Sequence, residues 1–216
     1  MKNKKRIFNQ ICKNIKNVKI QGARNIAKAG LKAYSLIPTK NSKKKLLSLR
    51  PTEPMLEKVL NLADKISYNK ITDHFNYAQE TINKKFFKLV KNNDIIFTHC
   101  HSTNVVQALI YAKKNGKKFQ VYNTETRPLF QGRKTAKELR KAKIKVMMFV
   151  DSAFGIALEG KQGIKKTTKV LLGADALLKN GIINKIGSGV IAQIAKNNKI
   201  PVYIIADSWK YTNKNV

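Results

Sequence analysis

The chain has 216 residues, 43% of them hydrophobic, with 44 Lys and Arg against 12 Asp and Glu, for a formal net charge of +32. That length accommodates one large domain or two small ones with ample core, and the hydrophobic share is that of an ordinary globular protein. No apolar run is long enough to span a bilayer, residues 1–17 hold no signal-peptide block, and the two cysteines lie far apart in unlike contexts, so a soluble cytoplasmic protein without a disulfide framework is expected.

In chain order, residues 2–17 read as a basic helix with Ile7, Phe8, Ile11 and Ile15 on one side. Gln21-Gly22-Ala23-Arg24 then opens a small-residue helix that Pro38 ends. Residues 39–45 read as a loop and 46–54 as a turn-like boundary, because Pro51 disfavours helix at Arg50. Residues 53–67 and 71–91 carry apolar residues at helical spacing and predict two amphipathic helices. From Asp94 the texture changes. Apolar runs of strand length at 95–99, 118–122, 145–150, 169–175 and 201–205 alternate with helical patterns, which argues for βαβ units and a parallel sheet. The expectation is an α/β protein: a small helical domain over 1–92, then a Rossmann-like α/β domain over 93–216.

Four polar clusters sit at predicted strand ends or in the loops that follow, and such clusters converge on one crevice of an open sheet. The first is His99-Cys100-His101-Ser102, which places Cys100 near a helix N-terminus, where the dipole favours a thiolate. A buried, inert cysteine is the plainer alternative. His99 and His101 invite a metal, but i,i+2 spacing points them oppositely in a strand and no further ligand motif completes a site, so no metal is expected. Glu125-Thr126-Arg127-Pro128 reads as a salt-bridged turn or a site loop, and Asp151 as a helix cap or a site residue. Asp175 lies within apolar sequence, LLGADALL, where desolvation raises a carboxyl pKa and suits a general acid. Asn184-Lys185-Ile186-Gly187 reads as a plain turn or, through Lys185, as a phosphate or hydroxyl contact. A fifth cluster, Gly22-Ala23-Arg24, opens a helix, where free N–H groups and a guanidinium fork suit a phosphate.

Taken together, THCHS at 98–102, TETRPLFQGRKTAKEL at 124–139, DSA at 151–153, GADALLKNGIINKIGS at 173–188 and ADSWKY at 206–211 resemble the initiation factor 2B alpha/beta/delta-like superfamily. QGAR at 21–24 and LRPT at 49–52 match further landmarks, so the resemblance covers nearly the whole chain. Within the superfamily the chain is most similar to the archaeal ribose-1,5-bisphosphate isomerases, with methylthioribose-1-phosphate isomerases as cousins. Two departures stand out. Family members usually carry Arg where this chain has Gln21, with Arg24 as its substitute, and they continue past the SWKY segment with a glycine- and proline-containing stretch where this sequence stops at Val216. That departure leaves open a reduced but active site, dependence on a partner, or a non-catalytic role.

The resemblance implies an enzyme, an aldose–ketose isomerase taking ribose 1,5-bisphosphate to ribulose 1,5-bisphosphate in AMP and nucleotide salvage. Cys100 and Asp175 are then the acid/base pair, in either order. Gly22, Ala23, Arg24, Arg50, Ser102, Lys185 and Lys210 take the two phosphates and Asn184 a hydroxyl. It implies no cofactor, AMP as an effector, and a homo-oligomer, dimer or hexamer. The alternatives are a methylthioribose-1-phosphate isomerase, or a non-catalytic regulatory or binding subunit of the initiation-factor type. The net charge suggests nucleic acid as a partner. Lys far outnumbers Arg, however, and the aromatics do not alternate with basic residues as a stacking platform requires. The charge therefore reads as solvated lysine faces, with nonspecific nucleic-acid affinity as a side effect.

Overall fold

A computed structural model describes residues 2–213. The chain forms two compact units. One comprises the segments up to Ala78, Asp175–Ile183 and the segment from Ser208, and the other comprises Gln79–Ala174 and Asn184–Asp207.

The first unit is mainly helical. Helix α1 (Lys2–Lys16) buries Phe8, Cys12 and Ile15 at spacings of four and three and leaves its lysines in water. Helix α2 (Ala23–Leu36) packs its small face, Ala23, Ala27 and Gly30, closely on helix α4 (Pro54–Leu62). A Cβ on Gly30 would lie 2.3 Å from Leu56 Cδ1, so a larger residue there would push the Leu56 side chain aside. Residues 39–45, expected as a loop, instead begin helix α3 (Lys40–Ser48). Thr39 caps it, accepting from Ser42 N–H at 3.2 Å, and lysines propagate a helix well even with only Ser42 and Leu46 buried. Helix α4 carries Pro54 in its first turn, where no N–H is needed. Helix α5 (Tyr68–Leu89) runs from the first unit into the second.

The second unit is an α/β sandwich around a five-stranded, all-parallel sheet. Strands β1 (Asp94–Thr98), β2 (Phe119–Thr124), β3 (Lys145–Phe149) and β4 (Lys169–Leu172) alternate with helices α6 (Thr103–Lys114), α7 (Gln131–Lys141) and α8 (Phe154–Glu159). The chain then leaves for an antiparallel hairpin in the first unit, β5 (Ala176–Leu178) and β6 (Gly181–Ile183), and returns as helix α9 (Ser188–Asn197) and strand β7 (Val202–Ile204). The sheet order is β3-β2-β1-β4-β7. Each expected strand is present, and the α/β parallel-sheet fold is as read from the alternation. The hairpin within 176–183 was not anticipated.

Side chains alternate between two cores. Ile96, Val121, Val146 and Leu171 pack with Phe86, Val106, Leu109 and Leu139 on one face, and Ile95, Phe97, Tyr122, Val170 and Leu172 pack with Leu158, Ile191 and Ala195 on the other. Burial on both faces is why the central strands β1 and β4 read as near-continuous apolar runs. At the sheet's amino end Asp94 and Lys169, each 6% exposed, form an ion pair. The Lys91 N–H and the Thr168 hydroxyl also donate to Asp94, and Lys169 donates to the Leu89 carbonyl. Among the described residues no helix is long and apolar enough to cross a membrane.

Removing one partner of a fully bonded buried pair strands the other charge. Lys169→Met is expected to cost about 3–5 kcal/mol, read as a lower midpoint in urea unfolding followed by circular dichroism. A midpoint unchanged from the parent would show that the pair contributes nothing.

Candidate active site

In the α/β unit the direction of winding reverses between β1 and β4, because β2 and β3 are added on one side of β1 while β4 and β7 lie on the other. The crevice outside the carboxyl ends at such a reversal is where open sheets bind ligands. The first residues beyond β1 are His99, Cys100, His101 and Ser102.

Cys100 adopts φ +66°, a left-handed conformation that a side chain with a Cβ rarely takes. Its backbone is held at both polar atoms. The Cys100 N–H donates to Thr126 Oγ1 at 3.0 Å, and the Thr135 hydroxyl donates to the Cys100 carbonyl at 2.8 Å. Asp151 holds the first of these threonines in turn, its carboxylate accepting the N–H groups of Thr126 and Arg127 at 2.8 and 2.7 Å. Burial pushes the Asp151 carboxyl up, but the Arg127 and Thr126 N–H groups outweigh it and hold the group below the usual range. Asp151 thus anchors the β2–α7 loop rather than capping its own helix.

The two histidines point apart, as their spacing requires. His99, 3% exposed, contacts the Thr124 hydroxyl through Nδ1 at 2.6 Å and the Ile186 carbonyl through Nε2 at 2.9 Å. A carbonyl only accepts, so Nε2 carries the proton and Nδ1 accepts from Thr124. His101 Nδ1 lies 3.0 Å from Thr135 Oγ1, whose own proton goes to the Cys100 carbonyl, so Nδ1 is the donor there. Burial, with Lys134 nearby, pushes the His101 pKa down to about 4, and burial lowers that of His99 as well. Both rings are neutral at pH 7. The 3.8 Å approach of His101 Nε2 to Glu138 is then no ion pair.

Ser102 ends this loop as the N-cap of α6, its Oγ accepting from Val105 N–H. A Cβ on Gly173, the residue after β4, would lie 2.7 Å from both Cβ and Oγ of Ser102, so glycine is what lets Ser102 approach, and Asn184 Oδ1 lies in ordinary contact at 3.9 Å. Asn184 Nδ2 donates to Ser188 Oγ, and Ser188 Oγ donates to the Lys185 carbonyl at 2.7 Å, which fixes the turn bearing Lys185. Cys100, Ser102, Asn184 and Lys185 all belong to this unit.

The other sequence-predicted residues belong to the helical unit. Gly22, with φ +82°, is the N-cap of α2 and Ala23 its first residue. Arg24 reaches Asn76 Oδ1 at 3.4 Å and lies over the Phe75 ring. A separate group forms around Glu53, whose carboxyl feels Asp175, Lys210 and Arg50. Lys210 is 5% exposed on the short 3₁₀ turn Ser208–Lys210, beside Trp209, which stacks on His74 at 3.5 Å.

Thr135 and Glu53 were not singled out as site residues from sequence, and Thr126 was marked only as part of a turn or site loop. Thr126 and Thr135 act through their hydroxyls on the backbone of a residue far away in sequence, which no local pattern reports. Glu53 carried a signal, since it is the first acid in a chain with only twelve.

Comparison with known proteins bears on this arrangement. The model of the Initiation factor 2 subunit family matches residues 39–215. A ribose 1,5-bisphosphate isomerase from Thermococcus kodakarensis is 32% identical over 237 residues, covering 94% of this chain and 72% of that protein. A methylthioribose-1-phosphate isomerase from Petrotoga mobilis is 32% identical over 243 residues, covering 91% and 68%. Among solved structures, the translation initiation factor eIF-2B of Pyrococcus horikoshii superposes with a TM-score of 0.84 at 24% identity, covering 96% of this chain and 82% of that one, a likeness of fold.

The two threonines make a direct test of the Cys100 backbone. Thr126→Val leaves the Cys100 N–H without its acceptor and is expected to destabilise by about 1–3 kcal/mol, whereas Thr126→Ser keeps the hydroxyl and loses little. Urea unfolding of both variants measures the difference, and equal stability of Val and Ser would show that the hydrogen bond is not what holds the turn.

Proposed function

Because the chain belongs to the initiation factor 2 subunit family, we propose that it is an aldose–ketose isomerase converting ribose 1,5-bisphosphate to ribulose 1,5-bisphosphate. The observation that carries this reading is Cys100: a cysteine two residues beyond the central strand, held in a left-handed turn by hydrogen bonds at both its N–H and its carbonyl. Such preorganisation is what a group acting on a substrate at fixed geometry needs. Identity to proteins named isomerases over most of the chain supports the reaction class.

The chemistry is demanding because a phosphorylated anomeric oxygen blocks ordinary hemiacetal opening. An acid must give a proton to the ring oxygen as its bond to C1 breaks. A base must take the proton from C2 as the C1–C2 double bond forms. Asp175 is the acid in this scheme and Cys100, as thiolate, the base. Cys100 then returns its proton to C1, and the Asp175 carboxylate takes the C2 hydroxyl proton as the ketone forms, so both groups end as they began. The two roles are exchangeable, and a direct hydride shift from C2 to C1 would leave Cys100 to shape the surroundings of C2 instead. Gly22, Ala23, Arg24, Arg50, Ser102, Lys185 and Lys210 are assigned to the phosphates and Asn184 to a hydroxyl, with free N–H groups at Gly22 and Ala23 and guanidinium or ammonium groups elsewhere. No metal or organic cofactor enters these steps. The same reading carries a homo-oligomer, dimer or hexamer, AMP as an effector, and a place in cytoplasmic nucleotide salvage. Affinity for nucleic acid is then incidental to the net charge of +32 and is expected to vanish at moderate salt.

A coupled assay on the purified protein tests the reaction. Turnover of ribose 1,5-bisphosphate is expected, with Cys100→Ser and Asp175→Asn each lowering kcat by about 10²-fold or more. Preference for methylthioribose 1-phosphate in the same assay would move the chain to the cousin activity. Absence of turnover on both, with sugar-phosphate binding seen by thermal shift, would make it a non-catalytic binding subunit of the initiation-factor type.

A further inference from the structure

The proton transfers above leave His99 without a task, although its ring is buried and bonded at both nitrogens. Each nitrogen faces a different part of the α/β unit. Nε2 donates to the Ile186 carbonyl at 2.9 Å, and Ile186 lies in the turn that carries Asn184 and Lys185. The Ile186 side chain is 82% exposed, so burial of that side chain does little to hold the turn. The bonds from Asn184 to Ser188 and from Ser188 to the Lys185 carbonyl tie the turn to itself and to α9. The bond from His99 ties it to the end of β1.

Packing repeats the connection. Gly187, with φ +97°, is the N-cap of α9, and a Cβ there would lie 3.3 Å from His99 Nε2 and 3.2 Å from Phe154 Cζ. Phe154 meets the His99 ring edge-on, with centroids 5.7 Å apart. Imidazole, phenyl ring and glycine backbone form one junction.

Nδ1 faces the other way. It accepts from the Thr124 hydroxyl at 2.6 Å, and Thr124 Oγ1 lies 3.3 Å from Thr126 Oγ1, which accepts the Cys100 N–H at 3.0 Å. One line of hydrogen bonds therefore runs from the Lys185 turn through the imidazole to the Cys100 backbone. A neutral imidazole makes that join because it holds a donor and an acceptor at fixed relative positions.

We propose that His99 is a positioning residue that places the phosphate-binding turn through Nε2 and Cys100 through Nδ1. The inference rests on the isomerase reading, which assigns Lys185 to a substrate phosphate and Cys100 to C2. What it adds is that the two tasks separate at one ring. The bond to Ile186 governs how the phosphate is held. The bond to Thr124 governs how the thiol meets C2, where a small misplacement costs rate.

Two amide variants separate the nitrogens. Asparagine places a polar atom where Nδ1 lies and leaves the Ile186 carbonyl unmet, whereas glutamine reaches the Nε2 position and leaves the Thr124 hydroxyl unmet. With ribose 1,5-bisphosphate, His99→Asn is expected to raise KM about tenfold with kcat within about twofold of the parent. His99→Gln is expected to lower kcat about tenfold with KM within about twofold. A general loosening of the fold moves the two constants alike in both variants, so the same change in both, or no change in either, overturns the proposal.

If neither variant shows the native amide spectrum, the parent decides. In protein labelled with ¹⁵N, adding ribose 5-phosphate is expected to shift the His99 Nε2–H signal together with the amides of 184–187. A ring signal that stays in place while those amides move overturns the coupling, and amides that do not move remove the phosphate from this turn and the proposal with it. Absence of turnover in the parent overturns the isomerase reading and the role at Cys100. The dissociation constant for ribose 5-phosphate then replaces KM, and equal values in His99→Asn and His99→Gln overturn the role at the turn.

Discussion

The reversal of winding between β1 and β4 is the constraint on which the rest of the α/β unit depends. With β2 and β3 added on one side of β1 and β4 and β7 on the other, crossovers leave the middle of the sheet in opposite directions. The carboxyl ends of the two central strands are therefore left uncovered by any connection. β1 is buried along its whole length, so its backbone direction is fixed by pairing on both edges and packing on both faces. The chain has four residues in which to turn out of the sheet before α6 begins, and the left-handed φ of Cys100 makes the turn. Gly173, one residue past the neighbouring strand, leaves the space into which Ser102 fits.

A turn of that kind exposes backbone groups that water reaches poorly, and the surrounding hydroxyls answer them one by one. Thr126 takes the Cys100 N–H, Thr135 donates to the Cys100 carbonyl, and His101 donates to the Thr135 hydroxyl. Threonine suits this use because its branched Cβ leaves few rotamers and its hydroxyl donates and accepts at once. The scarcity of acids fits the same picture. In a chain with 44 basic residues and 12 acidic ones, two of the buried or half-buried carboxylates have a specific structural task. Asp94 neutralises Lys169 at the far end of the sheet, and Asp151 anchors the loop that carries Thr126.

Legibility in the sequence followed the range of the interactions. The parallel sheet announced itself because strands buried on two faces must be apolar throughout, and each is bounded by a helix with its own period. Helix α3 did not, because seven residues of TKNSKKK bury almost nothing and the helix rests on one threonine cap and on tertiary contact at Leu46. The hairpin at 176–183 was hidden because three-residue strands joined by Lys179-Asn180 carry too few residues for an alternation to show. The sheet-end loops were visible as clusters of reactive side chains, but the hydroxyls that position them were not. Thr135 lies 35 residues from the carbonyl it serves, and only the packing of α7 brings it there. His99 and His101 drew attention as ligands, whereas the structure engages three of their four ring nitrogens with hydroxyl and carbonyl groups.

That engagement of the imidazoles decides which groups are left to move protons. Histidine is the ordinary carrier at neutral pH because its pKa lies there unaided. Burial removes His99 and His101 from that role, and their hydrogen bonds fix each in one tautomer. His74, the remaining histidine, is stacked flat against Trp209. In the isomerase reading proposed above, proton transfer at neutral pH then falls to the thiol and the carboxyls. A lone carboxyl serves poorly as an acid there, because its proton is gone well below pH 7. Burying it without a partner would raise its pKa only by making the ionised form costly to the fold.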